Sequence, residues 1–346
     1  MAEKRITSQD VANLAGVSRT TVSFVVNKNP RFSIRPETVQ KVQEAARVLG
    51  YIPNATARAL ASRRAKAVGL VMTRDPRYIA SDPFLPQILG GLLDVVKQAQ
   101  LNLLTDWVEP GQQYQTYSSL IRAKHIDGMI LMTPRYDDPG LKALRETDIP
   151  VVLMGMVPGC DLYSVDVENV AAARTAVRHL ISLGHQRIAC ILNGLSPYSS
   201  ACQRLQGYQQ ALEEAGLAYD ETLVRFADFD ATSGYSQMRS LLAGRPGFTA
   251  AFVASDNVAL GALAAILDTG LKVPDDISLV GFDDIPMSSY IHPALTTIHM
   301  PAREIAQQSC HLLMRLIAGE RPEERALTLP TELITRGSTR ELGRSK

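Results

Sequence analysis

Acidic, basic and aromatic side chains follow several short apolar runs in the second part of the chain, where they could bind a small polar molecule. The set comprises Asp82, Phe84, Arg204, Phe229, Ser255, Asp256 and Asp283. Carboxylates accept hydrogen bonds from hydroxyl groups, a guanidinium donates to neighbouring oxygens, and aromatic faces pack on C–H surfaces. This combination of residue types indicates a site for a small polyhydroxylated ligand.

Each of these residues also has a purely structural interpretation. Asp256 could cap a helix, Arg204 could form only a salt bridge, and Phe229 could be a core residue. The hypothesis of a binding site therefore depends on all of them converging at the ends of neighbouring strands.

A different chemistry is indicated near the N-terminus, where Arg19, Thr20, Thr21 and Ser23 share the polar face of a short helical pattern. All four can hydrogen-bond a base edge or a phosphate. In a helix-turn-helix unit, the N-terminal residues of the second helix enter the major groove of DNA. The alternative interpretation is a plain αα-hairpin whose polar face is only solvated.

The charge distribution favours contact with nucleic acid. The first 66 residues hold twelve Lys and Arg against four Asp and Glu, a formal charge of +8. The remaining residues carry 24 against 31, or −7, within a total of +1. A basic head on an acidic body suits docking on phosphate groups.

The elements that would position this polar face can be predicted in turn. Thr7 or Ser8 can cap a first helix, Gly16 supplies the positive φ of a tight turn, and Ser18 caps a second helix. The residues expected to face inward are Val11, Ala12, Leu14, Val17, Val22, Val25 and Val26. A third helix is expected from Glu37 to Leu49, with Pro36 in its first turn.

The alanine-rich segment from Ala55 to Ser62 is too short to form a stable helix alone. It could fold when two copies meet on DNA, which would place Leu60 as an apolar wedge at a minor-groove step. The alternative interpretation is a simple linker.

From Lys66 onward, short apolar runs alternate with amphipathic helical patterns, which predicts an α/β body with parallel sheets. The expected strands are Val68–Met72, Leu101–Thr105, Met129–Met132, Val151–Met154, Ile188–Leu192, Ala250–Ala254 and Leu279–Phe282. The expected helices are Leu85–Gln98, Asn169–Leu183, Arg204–Ala215, Val258–Leu267 and Ala302–Leu316. About 280 residues exceed one comfortable core, so we expect two lobes, with ligand beyond the carboxyl ends of the strands.

Several other kinds of site are not indicated by the sequence. It contains no glycine-rich phosphate loop, its four cysteines are scattered, and its six histidines lack metal-ligand spacing. We therefore expect no cofactor and no bound metal. No apolar run approaches eighteen residues and no leucine heptads occur, so we expect a cytoplasmic homodimer without a membrane segment.

Motifs along essentially the whole chain resemble the LacI-type (lactose-repressor-like) family of transcriptional regulators. In the head these are Asp10-Val11-Ala12, Ala15-Gly16-Val17-Ser18, Thr21-Val22-Ser23, Gly50 to Asn54 and Ala57 to Leu60. In the body they include Gly184-His185, Arg204 with Gly207, and Pro274 to Asp284. The resemblance implies a helix-turn-helix head, a hinge helix and a two-lobed, periplasmic-binding-protein-like effector domain.

For the head, the resemblance implies a dimer that reads a palindromic operator in double-stranded DNA. Arg19 and Thr20 would be the main base-reading residues, with further contacts from Thr7, Ser18, Thr21, Ser23, Asn27, Tyr51 and Asn54. The hinge helix would hold Ala57 and insert Leu60 into the central step. Phe24 replaces an Arg that many relatives carry, which implies that one familiar base contact is missing or is replaced by apolar contact with a thymine methyl group.

For the body, the resemblance implies that Arg204 and Asp283 grip the effector and that Phe229 stacks on it. Ser255 stands where some sugar-binding relatives have Asn, and Leu85 replaces an aromatic residue common at that position. A sugar is the expected effector and a nucleobase is the weaker alternative. The direction in which the effector changes DNA binding is left open.

The predicted domains are residues 1–53 for the DNA-binding head, 54–66 for the hinge helix and linker, and 67–340 for the effector-binding and dimerisation domain. Within the last, we expect one lobe at about 67–164 and 293–326, and the other at about 165–292 and 327–340. Three crossovers would join them.

The leading hypothesis is an effector-controlled transcriptional regulator, most often a repressor in this family. A transport-type solute-binding protein is disfavoured by the basic head. A hydrolase using Asp283 and Asp284 is disfavoured because adjacent residues of a strand point to opposite faces.

Overall fold

The computed structural model of the chain describes residues 6–26, 33–52, 64–73, 81–109, 111–195, 197–244 and 247–343. The chain forms two compact units, of which the first ends at Lys66 and the second begins at Ala67.

Three helices lie in the described part of the first unit. They are α1 (Ser8–Ala15), α2 (Arg19–Val26) and α3 (Pro36–Val48). Val11, Val22 and Val42 are almost completely buried and form the centre of a small core. One apolar stripe from each helix therefore supplies this core, as the helical spacing of these residues predicts.

The ends of α1 and α2 are fixed by local hydrogen bonds. Thr7 caps α1, because the Asp10 amide donates to its hydroxyl and the Asp10 carboxylate accepts from the Thr7 amide. Gly16 ends α1 with a φ of 66°, and Ser18 caps α2 by accepting from the Thr21 amide at 3.1 Å. These two caps and the left-handed turn are as predicted.

Leu14 corrects the prediction for α1, because its side chain is 54% exposed. The apolar stripe of so short a helix is completed by Val11, Ala12 and Ala15. Leu14 therefore lies beside that stripe, outside the core.

Two six-stranded sheets form the second unit. The first has the order β11–β5–β4–β3–β1–β2 and the second the order β12–β10–β9–β8–β6–β7. All pairs are parallel except that β12 runs antiparallel to β10. The strands are β1 (Ala67–Met72), β2 (Asn102–Trp107), β3 (Gly128–Met132), β4 (Val151–Met154), β5 (Tyr163–Val167), β6 (Ile188–Leu192), β7 (Val224–Phe226), β8 (Ala250–Val253), β9 (Ser278–Asp283), β10 (Thr296–His299), β11 (Ala326–Leu329) and β12 (Glu332–Ile334).

Helices connect and cover these strands. They are α4 (Leu85–Gln98), α5 (Gln113–Ala123), α6 (Gly140–Arg145), α7 (Asn169–Ser182), α8 (Ser199–Glu214), α9 (Ala231–Ala243), α10 (Asp256–Asp268) and α11 (Ala302–Ile317). The central strands β1, β3, β4, β6, β8 and β9 are buried along their whole length. Burial on both faces explains why these strands appear in the sequence as uninterrupted apolar runs. None of the helices in the described part of the chain has the length and apolar character needed to cross a bilayer.

The chain passes between the two sheets three times, and the strand pairing corrects the predicted lobe boundaries. β5 lies in the first sheet, so the first crossing follows Val167 and not residue 164. β10 pairs with β9 in the second sheet, and β11 pairs with β5 in the first. Each crossing therefore falls in a connection between elements, because a paired strand cannot be divided between two sheets.

Gly261 allows helices α9 and α10 to approach closely, since a Cβ atom there would lie 1.7 Å from the Ala231 carbonyl oxygen. We predict that Gly261→Ala lowers the free energy of unfolding by about 1–3 kcal/mol or more through overpacking. Gly244→Ala is the control, because its new Cβ would meet nothing closer than 3.6 Å and its φ of −73° suits alanine. Urea unfolding of both variants measures the difference, and equal stability would contradict the packing account.

Candidate functional site

A cavity of about 100 Å³ lies within the second unit, where the carboxyl ends of the two sheets face each other. Such a volume has room for several water molecules, and therefore for a small ligand. Six of the seven predicted effector residues line it: Asp82, Phe84, Arg204, Phe229, Ser255 and Asp283. Further lining residues, which were not predicted, include Thr133, Asp166, Asn169, Asn193, Ser199, Ser200 and Met300.

Arg204 projects from α8 into the wall of this cavity, with only 5% of its side chain exposed. Its Nε donates to Asn169 Oδ1 at 3.0 Å, and its Nη1 donates to the Ala254 carbonyl at 2.6 Å. The guanidinium also lies 3.6 Å from the centre of the Phe282 ring. Burial lowers the pKa of Arg204, but an ion this well paired keeps its charge at neutral pH.

Asp283 is the counter-charge of Arg204, at 3.6 Å between Oδ1 and Nη1. It ends β9, and the Ser255 side chain and the Asp256 backbone favour its charged form. Burial raises the pKa of Asp283 to about 6, and the attraction of Arg204 opposes that rise. This buried pair fixes one wall of the cavity.

Phe229 presents its ring to the cavity from the loop after β7. Its amide donates to the Asn193 carbonyl at 2.7 Å, and its ring meets that of Tyr198 edge-on with centroids 5.0 Å apart. A Cβ atom on Gly194 would lie 2.4 Å from the Phe229 ring, so only glycine allows this approach. The ring can therefore stack on the apolar face of a ligand.

Backbone strain is concentrated at this cavity. Thr133, Phe229 and Asp283 line it and have φ values of 58°, 59° and 114°. Positive φ is costly for residues with a Cβ atom, and such residues cluster at functional sites. The strain supports the assignment of the cavity as a ligand site.

Hydrogen bonds between the two lobes close the cavity. The Tyr198 hydroxyl donates to the Thr73 carbonyl at 3.3 Å, and the Ser199 amide donates to the Pro134 carbonyl at 3.2 Å. The Asn257 amide group donates to the carbonyls of both Ser81 and Phe229. Loops from both lobes therefore hold the cleft shut in this structure.

Asp256 does not line the cavity, which corrects its prediction as an effector residue. Its side chain is fully buried, and its carboxylate accepts hydrogen bonds from the Ile285 amide and the hydroxyls of Ser288 and Thr297. Asp256 is the first residue of α10, and its oxygens join this helix to the segments after β9. The protein itself satisfies this carboxylate, so none of its charge is directed at a ligand.

Sequence reasoning missed Asp166, Asn169 and Asn193 as lining residues. Asn193 directly follows β6, Asn169 lies two residues after β5, and Asp166 lies near the end of β5. The rule that ligands lie beyond the carboxyl ends of strands could have found them. The apolar signal of β5 is interrupted by Ser164 and Asp166, which hid that strand.

The predicted polar face of the head is exposed in part. Ser18, Arg19 and Thr20 are exposed at the start of α2, whereas Thr21 and Ser23 are half-buried. Thr7 is exposed at the α1 cap, and Tyr51 packs partly against the head core. Four predicted contacts lie outside the described residues: Asn27, Asn54, Ala57 and Leu60.

The Arg19 side chain links the two helices of this face, because its Nε donates to Ser8 Oγ at 3.1 Å. The guanidinium nonetheless stays at the surface, beside the exposed N-terminus of α2. An exposed Arg at this place can reach a base edge or a phosphate.

Asp283 and Asp284 are not arranged as a catalytic pair. Asp284 accepts from Arg336 Nη2 at 2.7 Å and lies 3.0 Å from His299 Nδ1, whereas Asp283 faces Arg204. Within the described ranges, no group of three or more His, Cys, Asp or Glu could hold a metal ion.

Two family models match the chain. Residues 7–54 match the model for bacterial regulatory proteins of the lacI family, and residues 177–339 match a periplasmic binding protein-like domain.

Characterised relatives match over nearly the whole length. The HTH-type transcriptional regulator CelR of Thermobifida fusca is 36% identical over 97% of this chain and 98% of its own. The HTH-type transcriptional repressor CytR of Escherichia coli strain K12 is 35% identical, covering 98% of each chain.

Solved structures are similar throughout. A transcriptional regulator CelR–cellobiose complex is 34% identical, with a TM-score of 0.75 over 96% of this chain and all of the other. The lac repressor dimer bound to operator and the anti-inducer ONPF is 32% identical, with a TM-score of 0.86 over 97% of this chain and all of the other.

The burial of Asp256 predicts a pH-dependent contribution to stability. Burial raises the pKa of Asp256 to about 7, whereas the pKa of Asp in the unfolded chain is ~3.9. The folded state therefore binds the Asp256 proton more tightly than the unfolded state does. The stability that this proton contributes to the folded state is lost as the pH rises from about 4 to 7. Asparagine has no such proton, so the destabilisation caused by Asp256→Asn should be about 1–3 kcal/mol smaller at pH 7 than at pH 5.

Urea unfolding of both proteins at the two pH values measures this difference. Asp268→Asn is the matched control, because Asp268 is exposed at the other end of α10. A destabilisation by Asp256→Asn that is the same at both pH values would contradict the assigned protonation.

Proposed function

The chain belongs to the lacI family of bacterial regulatory proteins, and from that premise we propose that a small sugar in the cavity controls its binding to an operator. A helix-turn-helix head and a periplasmic-binding-protein-like body make it a transcriptional regulator. The observation that carries the proposal for the effector is the buried Arg204–Asp283 pair in a closed cleft between the lobes.

On the DNA side, Arg19 and Thr20 read base edges, and Ser18, Thr21 and Ser23 assist them or hold phosphates. The exposure of Ser18, Arg19 and Thr20 at the start of α2 supports this role. A relative was solved as a dimer bound to operator, so we propose that two copies of this chain read a palindrome in the bacterial cytoplasm.

On the ligand side, the hydrogen-bonding side chains and the Phe229 ring suit a sugar better than a nucleobase. Vicinal hydroxyls pair with carboxylates and amides, and the C–H face of a pyranose packs on an aromatic ring. The CelR relative was solved in complex with cellobiose, which supports a sugar here. Asp82, Phe84 and Ser255 complete the proposed set of effector contacts.

Closure of the cleft is the proposed link between the two sites. Loops of both lobes meet through Tyr198 and Asn257, so a ligand that fits between them favours the closed arrangement. A ligand changes DNA affinity only by its differential affinity for the two arrangements, typically about 1–3 kcal/mol.

Catalysis is not part of this proposal. The relatives are transcriptional regulators, and the Asp284 carboxylate is engaged by Arg336 and His299. Asp283 and Asp284 therefore do not act as an acid and base on one substrate.

Arg19→Ala tests the DNA interface. If Arg19 reads a base, the variant should lose about 1–3 kcal/mol of discrimination at one operator position and bind other sequences nearly as before. The measurement is fluorescence anisotropy on an operator selected from random DNA and on its single-base variants. Arg47→Ala is the control, because it removes the same charge from α3, where Arg47 pairs with Glu44. A uniform loss over all sequences would make Arg19 a phosphate contact.

A thermal-shift screen tests the ligand class. The panel contains cellobiose, D-glucose, D-galactose, D-ribose, adenine and guanine. A sugar at about 100 times its Kd should stabilise the folded state by about 2.7 kcal/mol, which raises the Tm by a few degrees. A rise with a nucleobase and with none of the sugars would overturn the sugar proposal.

A further inference from the structure

Asn193 carries an unsatisfied hydrogen-bond acceptor at the cavity. The residue follows β6, is only 3% exposed and lines the cavity wall. Its Nδ2 donates to Ser200 Oγ at 3.0 Å, while its Oδ1 is buried and has no hydrogen-bond partner. A buried acceptor without a donor is unfavourable, and the large majority of such atoms in folded proteins are paired.

The position of this acceptor is fixed by its surroundings. The Asn193 backbone carbonyl accepts from the Phe229 amide at 2.7 Å, so the residue is tied to the loop that holds the Phe229 ring. The side-chain Nδ2 of Asn193 donates to Ser200 Oγ, at the start of α8, which fixes the orientation of the amide group. A ligand stacked on Phe229 would therefore lie beside Asn193, whose amide group is held in one orientation.

The charged residues that line the cavity indicate which chemical group of a ligand would lie beside Asn193. Three carboxylates, those of Asp82, Asp166 and Asp283, belong to the described lining. Its one guanidinium, Arg204, already donates to Asn169 and Ala254 and faces Asp283. A wall this rich in acceptors favours a neutral donor such as a hydroxyl group over a phosphate or carboxylate.

We propose that Asn193 determines effector specificity by accepting, at Oδ1, a hydrogen bond from one unsubstituted hydroxyl group of the effector. This rests on the proposed function, in which the cavity binds a sugar. The site rejects an analogue that lacks this hydroxyl, because binding it would leave the buried oxygen unpaired.

The experiment compares a sugar with its deoxy analogues in two proteins. The sugar of the panel above that raises the Tm most is titrated calorimetrically into wild type and Asn193→Leu, followed by its monodeoxy analogues. In wild type, one deoxy position should weaken binding by about 10- to 100-fold. In Asn193→Leu the parent sugar should bind about 10- to 100-fold more weakly, and the same deoxy analogue should bind as well as the parent.

Two further variants keep the test decisive. Asn193→Asp retains an acceptor at the same place, so it should restore the discrimination between the parent sugar and that analogue. Gln203→Met is the matched control, because Gln203 also carries an amide near the cleft but donates to the Met156 carbonyl. Gln203→Met should change the affinities for the parent sugar and for the deoxy analogue by the same factor.

The outcomes separate this proposal from the one on which it rests. Undiminished discrimination in a folded Asn193→Leu, or tighter binding of the sugar's phosphate ester than of the sugar, would overturn the role of Asn193 and leave the sugar effector standing. Absence of binding by every sugar of the panel would overturn both.

Discussion

The buried positive charge of Arg204 is the constraint on which the ligand-binding body depends. A guanidinium removed from water must be paired and hydrogen-bonded, or its burial becomes prohibitive. The ends of β8 and β9 supply Ala254 O and Asp283, and the Phe282 ring covers one face of the ion. Satisfying this single ion therefore requires several strand ends to converge, and their convergence forms the wall of the cavity.

The same ion lies where the lobes are joined. Asn169, which accepts from Arg204 Nε, begins the helix that follows the first crossing between the sheets. Met300, 3.8 Å from Nη2, lies in the second crossing, between β10 and α11. Ligand contacts at this wall and the geometry of the crossings are thus set by one buried group. This arrangement suits a body whose lobes move when a ligand binds.

The sequence predicted what repeats along the chain and missed what depends on three-dimensional neighbours. Uninterrupted apolar runs identified β1, β3, β4, β6, β8 and β9, because strands buried on both faces have little room for polar residues. Strands β7, β10, β11 and β12 are short and contain polar residues such as Arg225, Thr296 and Glu332, so they lack an uninterrupted apolar run. The lobe boundaries that depend on β10 and β11 were therefore misplaced. At the site, Asp256 and Asn193 have similar polar side chains at strand ends, and only the structure shows that one is satisfied internally and the other is not.

Coupling between ligand in the cleft and DNA at the head is tested most directly by measuring how each ligand changes the affinity for the other. The Kd of the sugar is measured by calorimetry with and without saturating operator, and the Kd of the operator by anisotropy with and without saturating sugar. Thermodynamic linkage requires both constants to change by the same factor, which we expect to be about 5- to 150-fold. Two constants that each stay unchanged would show that the cavity does not control the head.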